Sequence, residues 1–128
     1  MAAAAARLAA DGVDTVWGAF VGDELAGLVG LGREARAKGR HKATVFGMYV
    51  APERGRRGLG AALLQHAIAA ARDEGLEQLL LTVTATNAGA VALYEKAGFR
   101  SFGTEPRAIR IGSAYHDKTH MILFLTPP

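Results

Sequence analysis

The stretch from Met48 to Gly75, MYVAPERGRRGLGAALLQHAIAAARDEG, leaves this chain few ways to fold. An apolar strand end meets Pro52, which removes a ladder donor and stops the strand. The following turn carries Gly55, Gly58 and Gly60, with Arg54, Arg56 and Arg57 among them. Beyond it, Leu59, Leu63, Leu64, Ala67, Ile68 and Ala71 recur at spacings of three, four and five. Gln65, His66, Ala69, Arg72 and Asp73 fall on the other side, so the segment reads as an amphipathic helix. Gly58 opens that helix and Gly75 closes it. The first turn of a helix leaves four backbone N–H groups without partners and concentrates about half a positive charge there. Glycines keep side chains out of the way of those groups, and arginines add charge-assisted donors. The product is a cradle for a phosphate.

The rest of the chain is arranged around this unit. Ala43–Val50 (ATVFGMYV) reads as a strand with Thr44, Phe46, Met48 and Val50 on one face and Val45, Gly47 and Tyr49 on the other. Both faces are largely apolar, which predicts cover on two sides. Leu79–Ala85 is a further strand, so strand, helix and strand form a βαβ unit with the two strands parallel. Upstream, Ala2–Ala10 is helix-favouring by composition and ends at Gly12. Thr15–Val21 and Leu25–Leu31 predict an antiparallel hairpin around Gly22-Asp23-Glu24. Arg33–Lys42 is a charged, solvated connector. Downstream, Thr86 or Asn87 can cap a second helix over Ala88–Ala97, which Gly98 ends. Phe99–Gly103 and Arg107–Ile111 read as one strand broken at Pro106, and Thr119–Leu125 as a final apolar strand. Tyr115, His116 and Asp117 then fall in the connection before it. The expectation is one α/β (α+β) domain over residues 1–128, a mixed sheet with helices packed on it.

Composition removes several functions. The chain has 128 residues and no cysteine, which excludes disulfides and thiolate metal sites. His116 and His120 share a face, but no carboxylate or cysteine completes a ligand set, so no metal is expected. The net charge of +3 is concentrated between Arg33 and Arg57. That favours a local anionic ligand over a nucleic-acid surface, which would need a wider basic face and exposed aromatics. No apolar run reaches membrane-span length, and the alanine-rich start lacks the basic region of a signal peptide. A cytoplasmic protein is expected. Gly55, Gly58 and Gly60 are spaced G-x-x-G-x-G, with Leu63 where a dinucleotide motif would place its third glycine. No G-K-[ST] follows, so a P-loop is excluded.

Met48–Gly75, followed by Thr84-Ala85-Thr86-Asn87 and LYEKAGF at Leu93–Phe99, resembles the GNAT superfamily of acetyl-CoA-dependent N-acetyltransferases. The resemblance covers most of the chain from Thr15 to Leu125. It implies a mixed, mostly antiparallel sheet with a central βαβ unit and flanking helices. It implies acetyl-CoA as co-substrate, no metal, and a small-molecule or protein amine as acceptor. By resemblance, Met48, Tyr49 and Val50 lie along the pantetheine, while Arg56, Arg57, Gly58, Leu59 and Gly60 take the phosphates. Asn87 would reach the cofactor arm and Tyr94 would sit near the thioester sulfur. A phenol pKa near ~10 lies above a thiol's ~8.5, so Tyr94 is expected to stabilise the departing thiolate first as a hydrogen-bond donor. Read as residues alone, Tyr94 is a core aromatic on a buried helix face beside Val91 and Ala97.

The chain departs from the family pattern in three places. Gly55 stands where relatives carry Gln or Arg, and the extra arginine comes one residue later at Arg56. No glutamate occupies the strand near Thr44, which leaves Glu34, His41, Glu53, His116 and His120 as candidate bases, or water in their place. Only fourteen residues precede the first clear strand, so the acceptor side is expected to be short at the N-terminus. A non-catalytic CoA-binding or regulatory domain is the alternative. The apolar last strand makes a homodimer a further expectation.

Overall fold

A computed structural model of the chain describes residues 4–52 and 58–126. Seven strands form one sheet: β1 (Ala4–Ala10), β2 (Asp14–Val21), β3 (Glu24–Arg33), β4 (Lys42–Val50), β5 (Gln78–Thr84), β6 (Arg100–Ile111) and β7 (Ala114–Phe124). Their order is β1-β2-β3-β4-β5-β7-β6. Every described neighbouring pair is antiparallel except β4 and β5. Those two run parallel across helix α1 (Leu59–Asp73), as the strand–helix–strand order requires. Helix α2 (Ala88–Lys96) joins β5 to β6. The mixed, mostly antiparallel sheet expected from the resemblance is the one observed.

The core follows the helix stripe read from the sequence. Leu59, Leu63, Leu64, Ala67, Ile68 and Ala71 are the buried residues of α1, and they pack against β2, β3 and β4. Val29, Leu31, Leu79, Leu81 and Met121 meet them from the sheet. Each such side chain stabilises the fold by about 1.5–3 kcal/mol through removal from water. Gly75 and Gly98 take the left-handed conformations that close the two helices, with φ of 79° and 106°. No described helix is long and apolar enough to cross a membrane.

Four expectations are corrected. First, the alanine-rich start is strand β1 and not a helix. Alanine propensity favours a helix, but one of nine residues is marginal alone. Pairing with β2 instead satisfies its backbone, from Ala4 opposite Phe20 to Ala10 opposite Thr15. The Leu8 side chain lies over Gly18, where a β-carbon would collide with it.

Second, the segment Arg33–Lys42 is not a solvated connector at its ends. Arg33 is the last residue of β3 and Lys42 the first of β4, with a 3-10 turn at Ala37–Gly39 between them. The Arg33 guanidinium donates to both oxygens of Glu74 at 2.6 Å, and also to Thr15 Oγ1 at 2.9 Å. This clamps the C-terminal end of α1 to β2 and β3. The hydrogen bonds from Arg33 hold the Glu74 carboxyl below its usual range. A lowered folded pKa gives stability that is present above the unfolded value and lost as pH falls through the folded one. Glu74→Gln should therefore cost about 1 kcal/mol at pH 7, since the pair is half-exposed. Paired melting curves should show the difference in Tm closing toward acid pH, whereas a constant difference would assign the effect to packing.

Third, β6 is one continuous strand. Pro106, Arg107 and Ala108 form a bulge opposite Asp117, and Asp117 Oδ1 accepts the Arg107 N–H at 2.9 Å. A bulge absorbs a residue that cannot donate, so the proline bends the strand without ending it. Fourth, β7 starts at Ala114, which places Tyr115, His116 and Asp117 inside the strand. Its apolar part lies between β5 and β6, so the edge that an apolar last strand would offer to a second copy is already paired.

Candidate active site

The site begins where two parallel strands part. β4 and β5 pair only at Lys42–Gln78, Ala43–Leu79 and Thr44–Leu80. Beyond that point β5 continues along β7 as far as Thr84, and β4 continues along β3 as far as Val50. The edge of β4 that faces β5 is thus left without a strand partner from Val45 to Val50. Backbone N–H and C=O groups in such a position await a ligand that can pair like a strand.

A bulge in β4 decides what points into the cleft. Phe46 stands opposite Gly30 and Tyr49 opposite Leu28, so Gly47 and Met48 share the place across from Val29. Gly47 has a φ of 64°, a conformation that favours glycine. The extra residue reverses the alternation: Val45 is buried on the α1 side, and Met48 and Val50 also pack against the core. Phe46 and Tyr49 are exposed, at 38% and 49%. Two expectations are therefore corrected. Met48 and Val50 do not share a face with Phe46, and the strand is not covered on both sides. The Phe46 ring lies against Gly30, where a β-carbon would come within 2.4 Å of it. An isolated glycine inside an apolar strand is the signal that marks such a bulge.

The helix entry lies at the same end of the sheet. Gly58 is the N-cap of α1, with a φ of 70° and no side-chain cap bond. The first described bond of the helix runs from Ala62 N–H to the Gly58 carbonyl at 3.0 Å. The N–H groups of Leu59, Gly60 and Ala61 thus have no intrahelical acceptor. Leu59 is buried, so only its backbone faces this end. A β-carbon on Gly60 would touch Val50 and Leu93, at 3.5 and 3.4 Å, which marks the junction of β4, α1 and α2. Arg56 and Arg57 lie outside the described residues, with Glu53, Arg54 and Gly55.

Asn87 and Tyr94 come from α2. Asn87 follows β5 and caps α2, its Oδ1 accepting the Ala90 N–H at 3.2 Å. That leaves its amide NH2 without a partner among the described residues. The Tyr94 ring is buried and meets Phe99 edge-on at 6.0 Å. Its hydroxyl has no hydrogen-bond partner among the described residues. The hydroxyl is only partly buried, and a polar group without a partner among the described residues can bond a ligand. Burial raises the phenol pKa above its ordinary value and keeps the group a proton donor at neutral pH. The ring is thus a core aromatic, as the residues alone imply, and the hydroxyl has no acceptor or donor among the described residues.

The candidate bases are spread over the fold. His41 precedes β4, and its carbonyl accepts the Glu77 N–H at 2.7 Å, at the end of β4 and β5 away from the helix entries. Glu34 lies against Gly39 at that same end. Glu53 is outside the described residues. His116 and His120 share a face of β7, and His120 Nε2 stands 3.2 Å from Glu105 Oε1. His120 pairs with Thr82, two residues beyond the last β4–β5 pair. His66, expected in solvent, is exposed but rests edge-on against Trp17 at 5.3 Å. No group of three His, Asp or Glu able to hold a metal occurs among the described residues.

Known proteins share this arrangement. A sequence profile of the acetyltransferase (GNAT) family matches residues 3–99. A ribosomal protein bS18 alanine N-acetyltransferase of Escherichia coli is 48% identical over 58 residues, which is 45% of this chain and 39% of that protein. The chain thus spans well under half the length of the curated relatives of this kind. The solved ribosomal-protein alanine N-acetyltransferase of Escherichia coli superposes with a TM-score of 0.82 at 27% identity, over 93% of this chain and 74% of that one. A GNAT-family acetyltransferase of Streptococcus pneumoniae gives 0.83 at 31% identity, over 88% and 67%.

Proposed function

Because the chain belongs to the acetyltransferase (GNAT) family, we propose that it moves an acetyl group from acetyl-CoA to a primary amine. The observation that carries this reading is the parting of β4 and β5. It sets a strand edge beside the first N–H groups of α1, both without partners among the described residues, at the end where Asn87 and Gly60 also lie. The residues present fit a ligand that is amide-bearing along its length and phosphorylated at one end. Met48, Tyr49 and Val50 would pair with the amides through their backbone, and Gly58, Leu59 and Gly60 would hold phosphate oxygens. Arg56 and Arg57 add charge at the same turn, and Asn87 offers its amide NH2 to the arm. With binding by backbone groups, glycine at position 55 would alter the phosphate affinity rather than abolish it.

The thioester supplies an activated acetyl group, and the protein supplies placement and charge stabilisation. An amine lone pair attacks the carbonyl carbon, the C–S bond breaks, and the sulfur leaves as a thiolate. Tyr94 donates a hydrogen bond to that sulfur, which a phenol kept protonated by its burial is suited to do. The amine must shed a proton. His120 is the best placed of the candidates, since it lies near the parting of the strands and Glu105 orients its ring through Nε2.

A non-catalytic binding domain would have no use for an unpaired hydroxyl at Tyr94. The two readings separate in one assay: release of free thiol from acetyl-CoA over a panel of amines and amino-terminal peptides. Thiol release that requires both protein and amine supports transfer. Binding of acetyl-CoA without release over the whole panel would favour the binding domain.

A further inference from the structure

The β6–β7 hairpin extends past the rest of the sheet. The last β7 residue paired with β5 is Lys118, opposite Thr84. Beyond it, β7 continues to Ala114 and β6 to Ile111, as a two-stranded ribbon. At about 3.3 Å per residue, Tyr115 stands ~10 Å beyond the end of β5. The ribbon leaves from the end of the sheet where α1 and α2 begin, since the Ala85 N–H donates to the Asp117 carbonyl at 2.9 Å.

This ribbon carries two guanidiniums over one ring. Arg107 lies 5.0 Å and Arg110 5.7 Å from the centre of the Tyr115 ring. Neither side chain meets a carboxylate among the described residues. Asp117 spends Oδ1 on the Arg107 backbone N–H, and Arg110 Nε donates to the Gly112 carbonyl. Arg107 is placed there by a φ of 54°, the one left-handed non-glycine among the described residues. Such strain persists where the surroundings enforce it. Two like charges over one aromatic ring repel each other, and an anion between them relieves the repulsion while accepting several N–H donors.

The geometry points to a docking surface for an acidic peptide: Arg107, Arg110 and Tyr115 receive carboxylate side chains a few residues beyond the acceptor amine. This rests on the acetyltransferase reading for the amine, and on the ribbon itself for the carboxylates. The cofactor's phosphates are a poorer match, because β7 and β6 lie two and three strands from β4, whose end leads to the phosphate-binding turn. At about 4.8 Å per strand the separation is ~10–15 Å. A free amino acid is too short, since its carboxylate lies next to its own amine. An extended peptide covers ~10–15 Å in about three to five residues.

The test uses a peptide with a free amino terminus, glutamates at its fourth to sixth positions and a fluorophore at its far end, with a glutamine counterpart. Anisotropy titrations on the full chain should give about tenfold tighter binding of the acidic peptide, weakening as salt is raised. Arg107→Gln with Arg110→Gln should abolish that preference, while Tyr115→Phe should keep it. Equal binding of the two peptides, or an unchanged preference in the double variant, overturns the proposal. So does a double variant that loses discrimination between CoA and dephospho-CoA, which would give the patch to the cofactor. Preference for the acidic peptide without any acetyl-CoA binding would leave the surface standing and remove the transferase reading alone.

Discussion

Replacing Tyr94 with Phe should lower kcat about 100-fold and change the affinity for acetyl-CoA less than threefold. The ring is core, buried against Phe99, and Phe fills the same volume. Stability should therefore hold. In the proposed mechanism what disappears is one donor to a developing thiolate, and loss of one such donor typically costs 10²–10³ in rate. On that mechanism the hydroxyl would act only when charge appears on sulfur, so the loss would belong in kcat and not in ground-state binding. Steady-state kinetics with a binding titration separate the two. A parallel fall in turnover and affinity would make Tyr94 a packing residue.

The largest effect on stability is expected at Leu64. It sits in the middle of α1 with no solvent exposure, among Leu63, Ala67 and Ile68. Leu64→Ala should cost about 3–4 kcal/mol, the sum of lost burial and an unfilled cavity. A groove of about 170 Å³ already lies beside it between the helices, lined by Ala61, Gln65, Leu93, Lys96 and Ala97. Removing the side chain would join the new void to that groove and admit water. Tm should fall by roughly 10 °C or more. Gln65→Ala, one residue along on the exposed side, should move it hardly at all. Urea unfolding of both variants checks the pair, and similar losses would mean that α1 is not the keystone of the core.

The sequence made some of this visible because the signals are local. The apolar stripe of α1, the closing glycines at 75 and 98 and the Asn87 cap each need only a few residues of context. The parallel pairing of β4 and β5 follows from chain order alone. Other features depend on partners distant in the chain. Arg33 meets Glu74 across 41 residues, and nothing near either side chain announces the pair. The alanines of β1 favour a helix until β2 is present to pair with them. Gly47 shifts the alternation of β4 by one residue, so a strict period of two assigned Met48 and Val50 to the face that holds Phe46. Pro106 read as a break because the sequence does not display the Asp117 carboxylate that secures the bulge. In the candidate site, the motif singled out Tyr94 and Asn87, whereas the hydroxyl and amide NH2 left without partners among the described residues appear only with the fold.

Thermal unfolding of the purified chain with acetyl-CoA, against dephospho-CoA and ATP, tests the cleft most directly. A ligand at one hundred times its dissociation constant adds about 2.7 kcal/mol to the folded state. For a chain of this size the midpoint should rise by several degrees with acetyl-CoA and stay in place with ATP. No shift with acetyl-CoA at millimolar concentration would contradict the account, and the parted strands would then be a fold feature without its ligand.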